Sequence, residues 1–281
     1  MRLAFTKMHG CGNNYIYFNC FDQTIPEPEA LSIRLSEPHF GIGGDGIILI
    51  SPSDKADAQM RIFNADGSEG KMCGNGIRCV GKYLYDNGMV GERTTVTIDT
   101  LSGVKTLELF TENGKMVTAR VDMGVAILAP RNIPAAFDGE HVIDAPLVVD
   151  EKVYHITCVS MGNPHCVVFT DEKVATLDLA RIGPKFEHNP LFPERVNTEF
   201  VNVNPDGSLQ MRVWERGSGE TWACGTGACA VGVAAVLNGH AQKNQDITVH
   251  LRGGDLTIRY TDETVFMTGA ATTVFEGEIE L

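Results

Sequence analysis

Cys73 in Met72-Cys73-Gly74-Asn75-Gly76 and Cys224 in Ala223-Cys224-Gly225-Thr226-Gly227 each precede a run that reads as a helix. A thiol at a helix start lies among unpaired amides at the positive end of the macrodipole, which favours the thiolate and predicts a lowered pKa. The flanking glycines let a ligand approach the backbone, so the same amides can hold a carboxylate. Two such thiols, one ionised and one protonated, can take a proton from one face of a carbon and return a proton to the other. Inverting a stereocentre needs that arrangement, and the pair must titrate as a coupled unit.

The two cysteines occupy matching positions of a chain built twice. Gln59-Met60-Arg61-Ile62-Phe63-Asn64 aligns with Gln210-Met211-Arg212-Val213-Trp214-Glu215 at an offset of 151, which also carries Glu69 onto Glu220, Cys73 onto Cys224 and Asn87-Gly88 onto Asn238-Gly239. Upstream, Gly12-Asn13 answers Gly162-Asn163, and the region of Asp45 answers that of Asn197. So long a period fits two related domains rather than a solenoid, with a cleft expected between the halves.

Other chemistries compete for these cysteines. A zinc site from Cys73, Cys79, Cys224 and Cys229 would space its cysteines by five and four intervening residues, the first outside the usual two to four, and no histidine joins either cluster. A Cys-x-x-Cys redox pair is absent from the sequence. No lysine motif for a pyridoxal Schiff base stands out, and no Gly-x-Gly-x-x-Gly follows a strand, so the expected chemistry has no cofactor and no metal.

The chain has 281 residues, 43% of them hydrophobic, which suffices for two ordinary cores. Its formal net charge of −13 argues against nucleic acid or an anionic membrane as partner and leaves small-molecule work open. No signal-like segment or long apolar run occurs, so the cytoplasm is the expected compartment and its eight cysteines are expected to be reduced.

Positioning these residues falls mostly to strands. Alternating or β-branched runs mark 46–50, 60–63, 94–99, 117–121, 157–159, 165–169, 200–203, 209–214, 247–251 and 256–260, with turn signals such as Asn113-Gly114 and Asp206-Gly207 between them. The stretch 224–237 has no polar face and reads as a buried helix. Residues 73–86 form its more polar counterpart, and both stop at Asn-Gly. A shorter helix is expected over 29–36. The fold class is α+β, each half a mostly antiparallel sheet or partial barrel wrapped around a central buried helix.

These blocks together resemble the diaminopimelate epimerase family. The resemblance rests on Lys7-Met8-His9-Gly10-Cys11-Gly12-Asn13, Gly41-Ile42-Gly43-Gly44-Asp45-Gly46, Arg61 to Glu69, Met72 to Cys79, Met161-Gly162-Asn163-Pro164-His165-Cys166, and Glu215 to Gly227. It implies interconversion of LL- and meso-diaminopimelate without cofactor, on the route to lysine and peptidoglycan precursors. It also implies a small-molecule partner, a homodimer, and a final strand, 272–281, belonging with residues 1–122, while 123–271 form the second half.

By the same resemblance, Cys73 and Cys224 match the acid/base cysteines, and Asn13, Asn64, Asn163, Asn197, Glu215 and Arg216 match substrate-binding positions. Gly74, Asn75, Gly225 and Thr226 match groups around the reacting carboxylate, and His165 and Glu215 match positions that tune the thiols. Taken singly, the asparagines would read as turn residues and His165 as structural. Where some members carry a substrate-contacting Gln this chain has Gly46, and Cys11 replaces a common Leu. A racemase of the same fold acting on another amino acid, such as proline, is the nearest alternative. Against it stand Asn64, Asn163, Asn197 and Arg216, which suit a second amino acid end that proline lacks.

Overall fold

The computed structural model describes residues 2–281, which divide into two compact units: residues 2–122 with Thr268–Leu281, and Met123–Met267. In the first unit, β1 (Arg2–Gly10), β2 (Asn13–Asn19), α1 (Pro28–Ser36), β3 (Gly46–Ser51), β4 (Ala58–Asn64), the short β5 (Glu69–Gly70), α2 (Gly74–Asp86), β6 (Thr95–Thr100), β7 (Gly103–Glu112) and β8 (Lys115–Asp122) follow in order. Most neighbours are antiparallel, but β2 pairs parallel with β3 and β4 parallel with β6. The C-terminal strand Thr272–Glu280 lies antiparallel to β1, Arg2 facing Glu280.

The second unit repeats that order. After β9 (Ala145–Val149) come β10 (Lys152–Ser160), β11 (Pro164–Phe169), α3 (Leu179–Glu187), β12 (Asn197–Val203), β13 (Leu209–Glu215), β14 (Gly219–Glu220), α4 (Gly225–Leu237), β15 (Asp246–Leu251) and β16 (Gly254–Tyr260), and β17 (Val265–Ala270) begins in this unit and ends in the first. Its parallel steps fall at the equivalent places, β11 with β12 and β13 with β15. The repeated residues are explained by repeated contacts. Arg61 Nε donates to Glu69 Oε1 at 2.7 Å, and Arg212 Nε to Glu220 Oε1 at 2.7 Å, each pair pinning the short strand that leads to its cysteine.

The central helices α2 and α4 share their caps but not their surfaces. Cys73 and Cys224 hold the extended N-cap positions, and Asn87 and Asn238 end the helices ahead of Gly88 and Gly239 in the left-handed region. The closing bonds are alike, Met89 N to Leu84 O at 2.9 Å and His240 N to Ala235 O at 2.8 Å. Helix α4 is buried from Ala228 to Ala235, which accounts for its apolar sequence on every side. Helix α2 packs against β1, β2, β7 and β8 and keeps Lys82 and Asp86 as an ion pair at 2.8 Å.

Helix α3 lies outside the segments that the sequence marks as helical. Its Gly183-Pro184 pair looks like a break, but Asp178 caps the helix through Arg181 N. Gly183 is required there, because an added Cβ would lie 2.3 Å from the Trp214 ring. Each unit has its own core, around Leu3, Phe18, Leu35 and Phe63 in the first and Cys158, Phe186, Phe192 and Phe200 in the second. The mixed sheets and few helices make this the α+β fold expected.

Candidate active site

In the first unit, the β1–β2 turn brings Asn13 to the head of α2. The Cys73 thiol donates to Asn13 Oδ1 at 3.2 Å, while Cys73 Sγ accepts from Gly76 N at 3.3 Å as the helix cap. Asn75 Nδ2 reaches the same Asn13 oxygen at 3.4 Å, and Asn13 Nδ2 donates to Asp45 Oδ2 at 2.9 Å. Beneath them Arg78 is wholly buried, donating to Gly74 O and Asn75 Oδ1 at 2.9 Å each and to Ala270 O at 3.2 Å. A buried guanidinium tied to backbone carbonyls fixes the first turn of α2 and adds positive charge where an anion would sit.

Asn64 ends β4 and donates to Ser68 Oγ at 3.0 Å, its backbone held by Ser32. Opposite it stands Gly46, with φ of 148° and space so tight that a Cβ would meet Phe63 O at 2.1 Å. No side chain fits at that position in this backbone. Tyr15 packs behind Cys73, and burial first, then Cys73 and Asp45, push its phenol well above the usual range. The sequence assigns no role to Asp45 or Tyr15, although Asp45 lies within one of its motifs and Tyr15 just beyond another.

In the second unit, a line of hydrogen bonds leads to the thiol. His165 Nδ1 and Glu199 Oε1 are 2.7 Å apart, His165 Nε2 and Asn163 Oδ1 3.0 Å, Asn163 Nδ2 donates to Thr226 Oγ1 at 3.3 Å, and Thr226 Oγ1 lies 3.5 Å from Cys224 Sγ. Asn197 accepts from Arg216 N at 3.0 Å and donates to Pro164 O at 2.8 Å, while Glu215 accepts from Thr221 at 2.5 Å. The exposed Arg216 side chain bonds Glu194 O at 3.0 Å. Asn163, His165, Thr226 and Glu215 thus connect to the Cys224 thiol, whereas Asn197 bonds the backbone of Arg216 and Pro164 and the Arg216 side chain turns to Glu194.

The helix-start rule does not decide the state of Cys224. Burial first, then the carboxylates Glu215 and Glu199, push its thiol well above the ordinary value, against the Thr226 hydroxyl and Gly227 N–H that draw it down. The expectation of a lowered pKa is corrected here. Desolvation and two nearby negative groups outweigh the helix terminus. Burial likewise raises Glu215, opposed by Thr221, Cys224 and His165.

Helix geometry separates the cysteines that a zinc site would have gathered. Cys79 stands six residues beyond Cys73 and Cys229 five beyond Cys224, so each pair turns to different sides at about 100° per residue. Cys79 is sealed in the core against Tyr17, and burial raises its pKa to about 11. Among the described residues no group of three or more His, Cys, Asp or Glu is gathered to hold a metal.

Solved structures with this fold include a hydroxyproline epimerase from Agrobacterium vitis, at a TM-score of 0.70 and 16% identity, covering 100% of this chain and 93% of that one. A PhzF-family phenazine biosynthesis protein from Bacillus anthracis gives 0.69 at 17% identity, with 100% of each chain covered. At these identities the likeness is one of fold. Sequence relatives are nearer: the diaminopimelate epimerases of Agathobacter rectalis and Acetivibrio thermocellus are each 53% identical, covering 99% of this chain and 100% and 99% of theirs. That of Methanococcus maripaludis is 52% identical over 99% of this chain and 100% of its own. The family model for diaminopimelate epimerase matches residues 5–129 and 157–274, and the chain belongs to that family.

Proposed function

We propose that this protein interconverts LL- and meso-2,6-diaminopimelate by proton transfer at one α-carbon, without a cofactor, using Cys73 and Cys224 as the two acid/base groups. The observation that carries this is the pair of cysteines, each heading the same helix of one duplicated unit, in a chain of this family. One thiolate removes the α-proton; the C–H electron pair spreads into the adjacent carboxylate; the other thiol delivers its proton to the opposite face. The roles exchange in the reverse direction. The raised thiol of Cys224 suits it to be the protonated member in the resting protein.

The first-turn amides at Gly74, Asn75, Gly225 and Thr226 are suited to hold the reacting carboxylate as negative charge builds on it. Asn13, Asn64, Asn163, Asn197 and Arg216 offer the donors and acceptors of a polar site, and Glu215 can accept from the distal ammonium group. Those groups for a second amino acid end favour diaminopimelate over proline. His165 and Glu215 adjust the thiols. A cytoplasmic homodimer belongs to the same proposal; no described helix is long and apolar enough to cross a membrane.

Incubation with LL-diaminopimelate in D2O tests the activity. Appearance of the meso isomer with deuterium at the inverted carbon is expected. Neither inversion nor α-exchange would overturn the function.

A further inference from the structure

We propose that Glu199 is a positioning residue for the Cys224 thiol, the buried anchor of a relay running Glu199–His165–Asn163–Thr226–Cys224. The inference rests on the thiol pair proposed above and assigns a role to a carboxylate outside the residues matched to the family's site.

Glu199 is wholly buried on β12, and its side chain and that of His165 on β11 are each fully enclosed. The parallel register sets His165 against Asn197 and Val167 against Glu199, so His165 and Glu199 are diagonal neighbours on one face. Glu199 Oε1 bonds His165 Nδ1 at 2.7 Å, while Oε2 is buried with no hydrogen-bond partner in the protein. A carboxylate left half-satisfied in a core is costly and calls for a reason. Its location supplies one. A Cβ built on Gly227 would lie 2.6 Å from Glu199 Oε1 and 3.2 Å from Cys224 Sγ, so carboxylate and thiol share one small space at the head of α4.

The duplicated unit provides an internal control. Glu199 pairs with Val213 as Ile48 pairs with Ile62, and both pairs stand at the offset of 151. At Gly76, the counterpart of Gly227, the nearest atom to an added Cβ is Ile48 Cδ1 at 2.7 Å. The fold thus fills this position with an apolar side chain in one half and a carboxylate in the other. A packing role does not explain the charge, whereas a task at Cys224 does. By fixing the Nδ1 side of His165, Glu199 points Nε2 at Asn163, which in turn holds the Thr226 hydroxyl toward the thiol.

The titratable groups facing this space are His165 from β11, Glu199 from β12, Glu215 from β13 and Cys224 itself; Cys166, on the other face of β11 and paired with Cys158 of β10, feels the Glu199 charge through the sheet. Removing the Glu199 charge favours the Cys224 thiolate.

The test is Glu199→Gln, assayed in both directions of diaminopimelate interconversion across pH. The expected variant is folded and as thermostable as wild type. Its kcat falls at least tenfold with KM within about threefold, and the alkaline limb of kcat/KM, in the direction where Cys224 donates, moves about one unit to lower pH. A profile superimposable on that of active wild-type protein would overturn the inference and leave the epimerase function standing; inactive wild type would instead remove the function. Unfolding of Glu199→Gln would also count against it, since Ile48 shows that the position needs no charge. Independently, nitrogen-15 NMR of the wild-type protein should find a strongly downfield proton on His165 Nδ1. An unprotonated Nδ1 would refute the anchor.

Discussion

Alanine substitution at the matched glycines Gly76 and Gly227 should separate the two halves of the protein. At both, the gain from replacing glycine in a helix is at most about 1 kcal/mol, and less in a first turn. The opposing term differs. At Gly76 the new methyl meets the terminal carbon of Ile48 at 2.7 Å, a side-chain end that can rotate, with Cys73 Sγ a comfortable 3.6 Å away. At Gly227 it meets Glu199 Oε1 at 2.6 Å, Cys224 Sγ at 3.2 Å and Met211 Cε at 3.2 Å. The carboxylate cannot retreat without breaking its 2.7 Å bond to His165 in a sealed site. Overpacking of this kind costs about 1–3 kcal/mol. Gly227→Ala should therefore lose about 1–2 kcal/mol net, a fall of roughly 3–6 °C in Tm, while Gly76→Ala stays within about 1 kcal/mol of wild type. Thermal unfolding followed by circular dichroism reads the difference, and the epimerase assay should show the larger kcat loss for Gly227→Ala. Equal Tm values for the two variants, or a stable and fully active Gly227→Ala, would refute the placement of Glu199 against the helix head.

Cys73→Ser and Cys224→Ser should each retain folding and lose nearly all interconversion of LL- and meso-diaminopimelate; near-normal turnover in either removes the two-base scheme. Glu220 is held below its usual range chiefly by Arg212, whose Nε and Nη2 lie 2.7 and 3.0 Å from its oxygens, with Arg252 adding a contact at 3.0 Å. A depressed carboxylate contributes stability above its unfolded pKa, near 4.3, and loses it as pH falls through the folded value. Glu220→Gln should thus be about 1 kcal/mol less stable than wild type at pH 7, and the gap should close below about pH 4 in urea unfolding at matched ionic strength. A gap independent of pH would show that the pair does not act through its charge. Elemental analysis of the purified protein should find no stoichiometric metal, and chelator should leave activity unchanged; one zinc per chain would revive the four-cysteine site.

Much of the architecture is legible because each unit repeats local signals. The alternation of Met60 to Phe63 and of Leu209 to Trp214 falls in β4 and β13, and the all-apolar run after Cys224 becomes α4. Helix α3 is illegible locally, since Gly183 and Pro184 suggest a break, and what requires the glycine is the distant Trp214 ring. Yet α1, Pro28–Ser36, shifted by the repeat offset of 151, lands on α3, Leu179–Glu187. Strand β7 escapes notice because exposed Val104 and Phe110 blur its inner face. The site divides in the same way. Asn13 and Asn75 stand by Cys73, and Asn163 and Thr226 by Cys224, as the motifs suggest, whereas Tyr15 and Glu199 are brought to the thiols by strand register, which no local spacing displays.

Register also explains how a duplicated chain arrives at two unlike thiols. Cys73 caps its helix through Gly76 N and is held by the neutral Asn13, over an Ile48 that brings no charge. Cys224 lies among Glu199 and Glu215, where unit 1 has Ile48 and Asn64. Those two replacements add both carboxylates to one half only. In the proposed two-thiol mechanism, identical surroundings would give the two thiols the same proton affinity and favour neither as the protonated member. Negative charge beside Cys224 favours its protonated form, which in the proposed mechanism suits Cys224 to deliver the proton and leaves abstraction to Cys73. Exchanging the pattern, by Ile48→Glu with Glu199→Ile and Asn64→Glu with Glu215→Asn, should invert that preference. In Cys73→Ser and Cys224→Ser backgrounds, the pH dependence of alkylation of the remaining site thiol would report it, and an unchanged order of titration would mean that these carboxylates do not set the asymmetry.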